Sequence, residues 1–134
     1  MIVFNYKKEH SRTFAKLIYR PVAEIYLKSQ SEKWIRFDPY IDSGADITLL
    51  PYSLGKLLGL EVNRKKVEEI TGIKGSVPVV YDEVDAGIGE FNFKLKVAWA
   101  QVEEVPSLLG RKDVFDFFNV TFKQKSKIII FEKS

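Results

Sequence analysis

The chain has 134 residues, of which 46% are hydrophobic, and its net charge at pH 7 is only +3. This length suits one domain with a core of its own. Because there is no cysteine and only one histidine, His10, we exclude disulfides, thiolate catalysis and cysteine- or histidine-based metal sites. No apolar run approaches the roughly 18 residues that span a bilayer, and the first residues lack the pattern of a signal peptide, so we expect a cytoplasmic protein without membrane contact.

Strand patterns dominate the first half of the chain. Residues 15–27 are rich in apolar and β-branched types, and Pro21 indicates an edge or a bend. Residues 33–41 follow a polar turn, so the two segments are predicted to form a hairpin. A short helix is predicted over Pro51–Leu58, because proline suits a first helical turn and Gly59 suits a C-cap.

The second half of the chain continues this pattern. Residues 77–88 are predicted to form a strand that is broken near Asp82. Residues 91–99 alternate strictly between apolar and polar types, which predicts a half-buried strand. A second short helix is predicted over 112–118, followed by a last hairpin over 119–131. We therefore expect one all-β domain with two short helices, arranged as a barrel or a sandwich.

The segment YIDSGADITLLP, Tyr40–Pro51, places an acid among apolar residues. Removing the Asp42 carboxylate from water costs free energy unless other groups stabilise its charge. Gly44 permits a tight turn in which backbone N–H groups face the carboxylate, and Ser43 supplies a hydroxyl. Because Asp-Ser-Gly is also common in turns, an ordinary turn at the end of a strand is the alternative.

A second motif, PSLLGRKDVFDFF at Pro106–Phe118, runs from two apolar residues through Gly-Arg into the second predicted helix. Together with Asp42–Ala45 and the glycine-flanked segment Thr71–Gly75, it resembles the retropepsin-like aspartic protease family, which includes the retroviral proteases. It looks most like the family's single-domain prokaryotic members. The resemblance runs from about Tyr19 to Phe131 and leaves residues 1–14 outside. It implies a single-lobe closed barrel with a flap hairpin, as one domain over the whole chain.

The resemblance implies a role for each residue of the Asp-Ser-Gly loop. Asp42 matches the catalytic aspartate, and the family's active site uses two, so a one-lobe chain would work as a symmetric homodimer. The two carboxylates would share a proton, one activating a water and the other donating to the scissile carbonyl, without metal or cofactor. Ser43 would brace the opposite loop, the Gly44 carbonyl would bind the substrate backbone, and Ala45 completes the loop.

Asp46, Arg111 and the flap take further roles from the same resemblance. Asp46 matches an acid that contacts the substrate main chain, and we expect a buried Asp46–Arg111 pair that ties the loop to the second helix. The flap would close over an extended peptide. The flap residues expected to contact the substrate are Gly72, Ile73, Lys74 and Gly75. Lys74 departs from the small residue often found at this tip. A plain surface arginine and a hairpin without catalytic use are the alternatives.

The C-terminal segment KIIIF, Lys127–Phe131, is apolar on both faces, which is typical of a strand covered on both sides. The resemblance implies that terminal strands of two copies interleave in a shared sheet, which Ile2–Phe4 could join. The alternative is an internal strand of the single-chain barrel.

The leading hypothesis is an aspartic endopeptidase that acts as a homodimer on extended peptides or proteins. The alternative is a non-catalytic dimeric module that binds peptides without cutting them. A basic barrel that binds nucleic acid is a third interpretation. We expect no nucleic-acid partner, because residues 91–99 place their aromatic side chains on the core side and no segment interleaves exposed aromatic and basic residues.

Overall fold

The computed structural model describes residues 1–11, 16–62, 65–72 and 75–134 of the chain. Most of them lie in strands, and two helices are short, as the sequence predicts. The strands are β1 (Ile2–Asn5), β2 (Lys7–Ser11), β3 (Lys16–Arg20), β4 (Ile25–Lys28), β5 (Trp34–Phe37), β6 (Tyr40–Ile41), β7 (Thr48–Leu50), β8 (Glu68–Gly72), β9 (Gly75–Ile88), β10 (Phe91–Ala100), β11 (Leu108–Leu109), β12 (Phe118–Lys123) and β13 (Ile128–Lys133). The helices are α1 (Tyr52–Leu57) and α2 (Val114–Phe117). Over these described ranges, no helix has the length and apolar character needed to cross a membrane.

Eight strands form one curled sheet in the order β5-β4-β9-β10-β7-β11-β6, with β8 paired to β9. The long antiparallel pair of β9 and β10 is its centre. The alternation along β10 buries Leu95, Val97 and Trp99 almost completely, which confirms the predicted half-buried strand. The buried face of β10 thereby supplies much of the core behind the short strands β6, β7 and β11.

Strand β9 runs through Asp82 without the break that the sequence predicted. The Asp82 carboxylate pairs with Lys65, and its Oδ1 accepts the backbone N–H of Glu83 at 2.8 Å. Both acids stay in register with β10. The prediction of a break was wrong because Asp82, whose side chain is only 18% exposed, finds its partners without leaving the sheet.

Helix α1 has the ends that the sequence predicts, with Pro51 at its N-cap and Gly59 just beyond it at a φ of 82°. Its Gly55 lies directly on the Trp99 indole, since a Cβ there would be 2.0 Å from Nε1. The indole N–H donates to the Tyr52 carbonyl at 3.0 Å. This close contact holds the helix against the buried face of β10.

The termini form a separate three-stranded antiparallel sheet in the order β1-β13-β12. β1 pairs with β13 of the same chain. On the inner face Ile129 and Phe131 are fully buried, whereas Ile128 and Ile130 on the outer face are only half-buried. The predicted C-terminal hairpin is confirmed, and the segment expected to join a sheet shared between copies pairs within its own chain.

Strands β2 and β3, which precede Asp42 in the chain, pair as a separate two-stranded sheet. We call this pair the N-terminal hairpin. Pro21 separates β3 from β4, as its ring predicts, and its carbonyl accepts the N–H of Ile41 at 2.9 Å. An isolated bridge between Val22 and Tyr40 adds to this contact. The N-terminal hairpin is therefore fixed beside the strand that leads into Asp42.

Candidate active site

Three short strands support the Asp42 loop. β11 lies between β6 and β7, parallel to β6 and antiparallel to β7. Asp42 follows β6 directly, and its N–H donates to the carbonyl of Leu109 at 3.0 Å. The loop that joins β6 to β7 therefore starts and ends beside the strand of the Leu-Leu-Gly-Arg motif. Non-local pairing brings together the two motifs that the sequence analysis singled out.

The Asp42 carboxylate is fixed by its own turn. Its Oδ1 accepts the backbone N–H of Gly44 at 2.9 Å, and the Asp42 carbonyl accepts the N–H of Ala45 at 3.1 Å. A Cβ on Gly44 would lie 3.2 Å from Oδ1, so glycine lets this N–H approach closely. Asp42 is half-buried while Ser43 and Gly44 are exposed. The turn thus presents an oriented carboxylate at the surface of the single chain.

Arg111 ties this loop to the segment before α2. Its guanidinium pairs with the Asp46 carboxylate and donates to the Ser43 carbonyl at 3.2 Å. Its backbone N–H donates to the Ala45 carbonyl at 2.9 Å. The expectation of a buried pair is wrong for the single chain, because the Arg111 and Asp46 side chains are 52% and 86% exposed on a loop that no other layer covers. A pair this exposed adds little stability, so it acts mainly by fixing the loop's geometry.

Gly110 lies against the backbone at the far end of the same loop. A Cβ at this position would be 2.4 Å from the carbonyl carbon and oxygen of Ile47. The Gly110 N–H donates to the hydroxyl of Thr48 at 3.1 Å, and Thr48 is completely buried. The sequence analysis missed Thr48, whose one signal was a hydroxyl within the otherwise apolar run ITLLP.

We expect Thr48→Val to lower the free energy of unfolding by about 1–3 kcal/mol, since it leaves the buried Gly110 N–H without an acceptor at almost unchanged volume. Urea denaturation of the wild type and the variant measures this. Ser126→Ala, which removes a hydroxyl in the exposed turn between β12 and β13, is the matched control and should change stability by less than about 0.5 kcal/mol. Equal stabilities for the two variants would contradict a structural role for the Thr48 hydroxyl.

A recess lies between the Asp42 loop and the hairpin of β8 and β9. It has a volume of about 290 Å³, and the loop from Gly44 to Ile47 forms one side. Ile70, Thr71 and Tyr81 come from the hairpin side. The two strands of this hairpin pair up to Gly72 and Gly75 at its end. Residues 73 and 74, Ile73 and Lys74, lie outside the described residues. The hairpin and the Asp42 loop therefore line one recess, and the flap remains a prediction for this segment.

A second recess, of about 490 Å³, is lined by Asp42 itself. Its apolar wall consists of Pro21, Ile41, Pro106 and Leu108. We call it the Tyr40 pocket, because the remaining lining comes from the Tyr40 side chain, from the Asp42 carboxylate and from two charged residues of the N-terminal hairpin. Asp42 therefore lines the Tyr40 pocket, whereas the following part of its loop, from Gly44 to Ile47, lines the smaller recess, and Leu108 lines both.

Glu9 and Arg20 form the polar end of the Tyr40 pocket. The Tyr40 hydroxyl donates to the Glu9 carboxylate, at 2.8 and 2.9 Å from its two oxygens. Burial, followed by this hydrogen bond, raises the pKa of the Tyr40 phenol above its usual value, so the phenol stays neutral. Sequence reasoning missed both charged residues because nothing in the pattern of residues 1–20 indicates that the hairpin folds back to Asp42.

Metal ligands do not cluster in the part of the chain that the structure describes, where no group of three acids or histidines could hold an ion.

No protein-family model matches the sequence. No curated protein matches it either. Solved structures are similar to this chain. A retropepsin-like aspartic protease from Rickettsia conorii has a TM-score of 0.63 at 14% identity, covering 94% of this chain and 98% of that chain. The EIAV protease complexed with the inhibitor HBY-793 has a TM-score of 0.55 at 20% identity, covering 72% of this chain and 86% of that chain. These likenesses confirm the fold that the two motifs implied.

Proposed function

We propose that this chain, which has the retropepsin fold, is an aspartic endopeptidase that acts as a homodimer on extended peptides. The observation that carries the proposal is the placement of Asp42. Its carboxylate is oriented by the Gly44 N–H, and the residue lines the Tyr40 pocket on a loop whose next residues line the second recess. The Leu-Leu-Gly-Arg strand holds this loop in place. The fold supports the proposal as well, since both structural neighbours are described as proteases.

Peptide hydrolysis by carboxylates alone needs both a general base and a general acid. Of the other acids that line the two recesses, Glu9 is bonded to Tyr40 and Asp46 is paired with Arg111. Among the acids that line the two recesses, Asp42 is thus the one without a side-chain partner, so it can act on a substrate. A second copy related by a two-fold axis would supply the partner carboxylate, and the same residue would then serve in both roles.

In the dimer the two Asp42 carboxylates would share one proton, because ionising both at close range is costly. The ionised carboxylate takes a proton from a water as the water oxygen attacks the scissile carbonyl carbon. The protonated carboxylate donates its proton to the carbonyl oxygen. Collapse of this tetrahedral intermediate breaks the C–N bond. The leaving amine takes up the proton that the first carboxylate received from the water, and the second carboxylate regains a proton from a hydroxyl of the intermediate. The hairpin of β8 and β9 would close over the peptide and exclude bulk water.

The terminal sheet indicates where two copies would meet. The two edge strands of this sheet are β1 and β12, each paired with β13 alone among the described strands, and β12 is the one that follows α2 directly in the chain. An unpaired strand edge presents N–H and C=O groups that can pair with another strand. Phe122 on this strand is 38% exposed. We include in the proposal that two β12 edges pair across the two-fold axis.

Digestion of an unstructured peptide library between about pH 3 and pH 8 tests the proposal, with the mass in solution measured alongside. We expect cleavage only by a species of twice the 15.5 kDa chain mass. Activity should fall at high pH, where both carboxylates ionise, and at the acid end, where both are protonated. Cleavage by the monomer would rule out the shared-proton mechanism. A dimer that binds peptides but cuts none at any pH would instead identify a non-catalytic peptide-binding module.

A further inference from the structure

The Tyr40 pocket combines an apolar wall with a pair of opposite charges, directly beside Asp42. The charged residues are not independent of each other. Arg20 Nε lies 3.4 Å from a Glu9 oxygen, and the Arg20 guanidinium carbon lies 5.6 Å from the centre of the Tyr40 ring. Lys7 also lies 3.9 Å from Glu9, but its side chain is 64% exposed and does not line the pocket. Two side chains of the pocket, Tyr40 and Arg20, thus contact Glu9, and Lys7 contacts it from outside.

Glu9 is much more enclosed than Arg20, since its side chain is only 19% exposed and that of Arg20 is 49% exposed. A carboxylate that is largely removed from water needs hydrogen bonds and a positive neighbour. Tyr40 and Arg20 provide both. In return, Glu9 holds the phenol in place and offsets the charge of the guanidinium. The charges of Glu9 and Arg20 therefore largely cancel in the pocket wall next to Asp42. The Tyr40 hydroxyl already donates its hydrogen bond to Glu9.

We propose that Glu9 is a positioning residue that determines specificity: it fixes Tyr40 and neutralises Arg20, so that the pocket beside Asp42 accepts a large uncharged apolar side chain of the substrate. This inference rests on the proposed protease function and names the substrate class of that site. It also means that the N-terminal hairpin of β2 and β3 would form part of the substrate cleft. Most of this hairpin precedes the stretch of the chain that resembles retropepsins.

The charge balance predicts opposite changes when either charge is removed. Glu9→Gln keeps the size of the side chain but leaves Arg20 without its carboxylate, so the pocket should come to accept acidic side chains. Arg20→Gln leaves the Glu9 carboxylate with the exposed Lys7 as its nearest cation, so the pocket should come to accept basic side chains. A merely structural role for Glu9 or Arg20 would weaken cleavage of every peptide alike.

The experiment uses three versions of one library peptide that the wild type cuts, with leucine, glutamate or lysine next to the scissile bond. For the wild type we expect the leucine peptide to have the highest kcat/KM. Glu9→Gln should raise the glutamate-to-leucine ratio of kcat/KM by about fivefold or more, and Arg20→Gln should raise the lysine-to-leucine ratio similarly, mainly through KM. Lys8→Gln, on the opposite face of the same hairpin, is the matched control and should leave both ratios unchanged.

Binding of the same fluorescent peptides to Asp42→Asn versions of each protein separates this inference from the proposed function. Opposite shifts in the two charge variants, in cleavage or in binding, support it. If no protein cuts but binding shows the opposite shifts, the protease proposal fails and the role of Glu9 stands. If peptides are cut or bound without any charge-dependent shift, the role of Glu9 is overturned. The absence of both cleavage and binding overturns both proposals.

Discussion

Replacing Asp42 with asparagine should reduce peptide cleavage by at least about 10³-fold, because both copies of the dimer lose the group that accepts and donates protons. Asparagine has nearly the same shape as aspartate, and its side-chain oxygen can still accept the Gly44 N–H. The fold and the dimer should therefore persist. The measurement is kcat/KM on a cleaved library peptide, together with the mass in solution and the urea midpoint of both proteins.

Asp85→Asn is the matched control for this loss of charge. Asp85 is an exposed acid on β9 that pairs with Lys94 at 2.6 Å, away from both recesses. Its replacement should leave kcat/KM within about twofold of the wild type, as surface substitutions away from a site usually do. Full cleavage activity in Asp42→Asn would show that another group carries the chemistry. Loss of the dimer together with activity would show instead that Asp42 has a structural role.

Gly110→Ala should lower the free energy of unfolding by about 2–4 kcal/mol and abolish cleavage as well, because the new methyl group would overlap backbone rather than a flexible side chain. The Ile47 carbonyl group would lie 2.4 Å from the added carbon. To relieve this clash, β11 must separate from the loop that carries Asp42. That movement would also lengthen the hydrogen bond from the Gly110 N–H to Thr48.

Urea unfolding of Gly110→Ala beside Gly72→Ala tests this expectation. A methyl group on Gly72 would come no closer than 3.8 Å to its nearest neighbour, the Gly75 carbonyl, so its stability should stay within about 0.5 kcal/mol of the wild type. Only the stability of Gly72→Ala serves as the control, since this residue lies in the proposed flap. A Gly110→Ala protein as stable as the wild type would show that the loop can move without cost.

Local patterns were enough to predict most of the elements and the Asp-Ser-Gly turn. The alternation of residues 91–99 predicted a half-buried strand, because side chains alternate between the faces of a sheet. Pro51 and Gly59 predicted the limits of α1 for reasons that lie within a few residues of each. The order of the Asp42 and Gly110-Arg111 motifs implied the retropepsin fold before any contact between them was known.

Long-range contacts decided the rest. The sequence could not show that β1 pairs with β13 in its own chain, since several apolar strands could have served as partners for either. The family resemblance implied a buried Asp46–Arg111 pair, but exposure depends on which layers cover a loop in this chain, and both side chains are exposed. The length of β9 was missed for a related reason, because the partner of Asp82 is a lysine from another segment.

The sequence by itself thus determined the kind of elements, the turn that holds Asp42 and the likeness to one fold. The tertiary structure alone decided that Thr48 supports Gly110 and that Glu9 reaches Tyr40, 31 positions further along the chain. The physical reason is that propensities and turns depend on neighbouring residues. Hydrogen bonds between distant segments depend instead on strand order and register, which are fixed only when the whole sheet has formed.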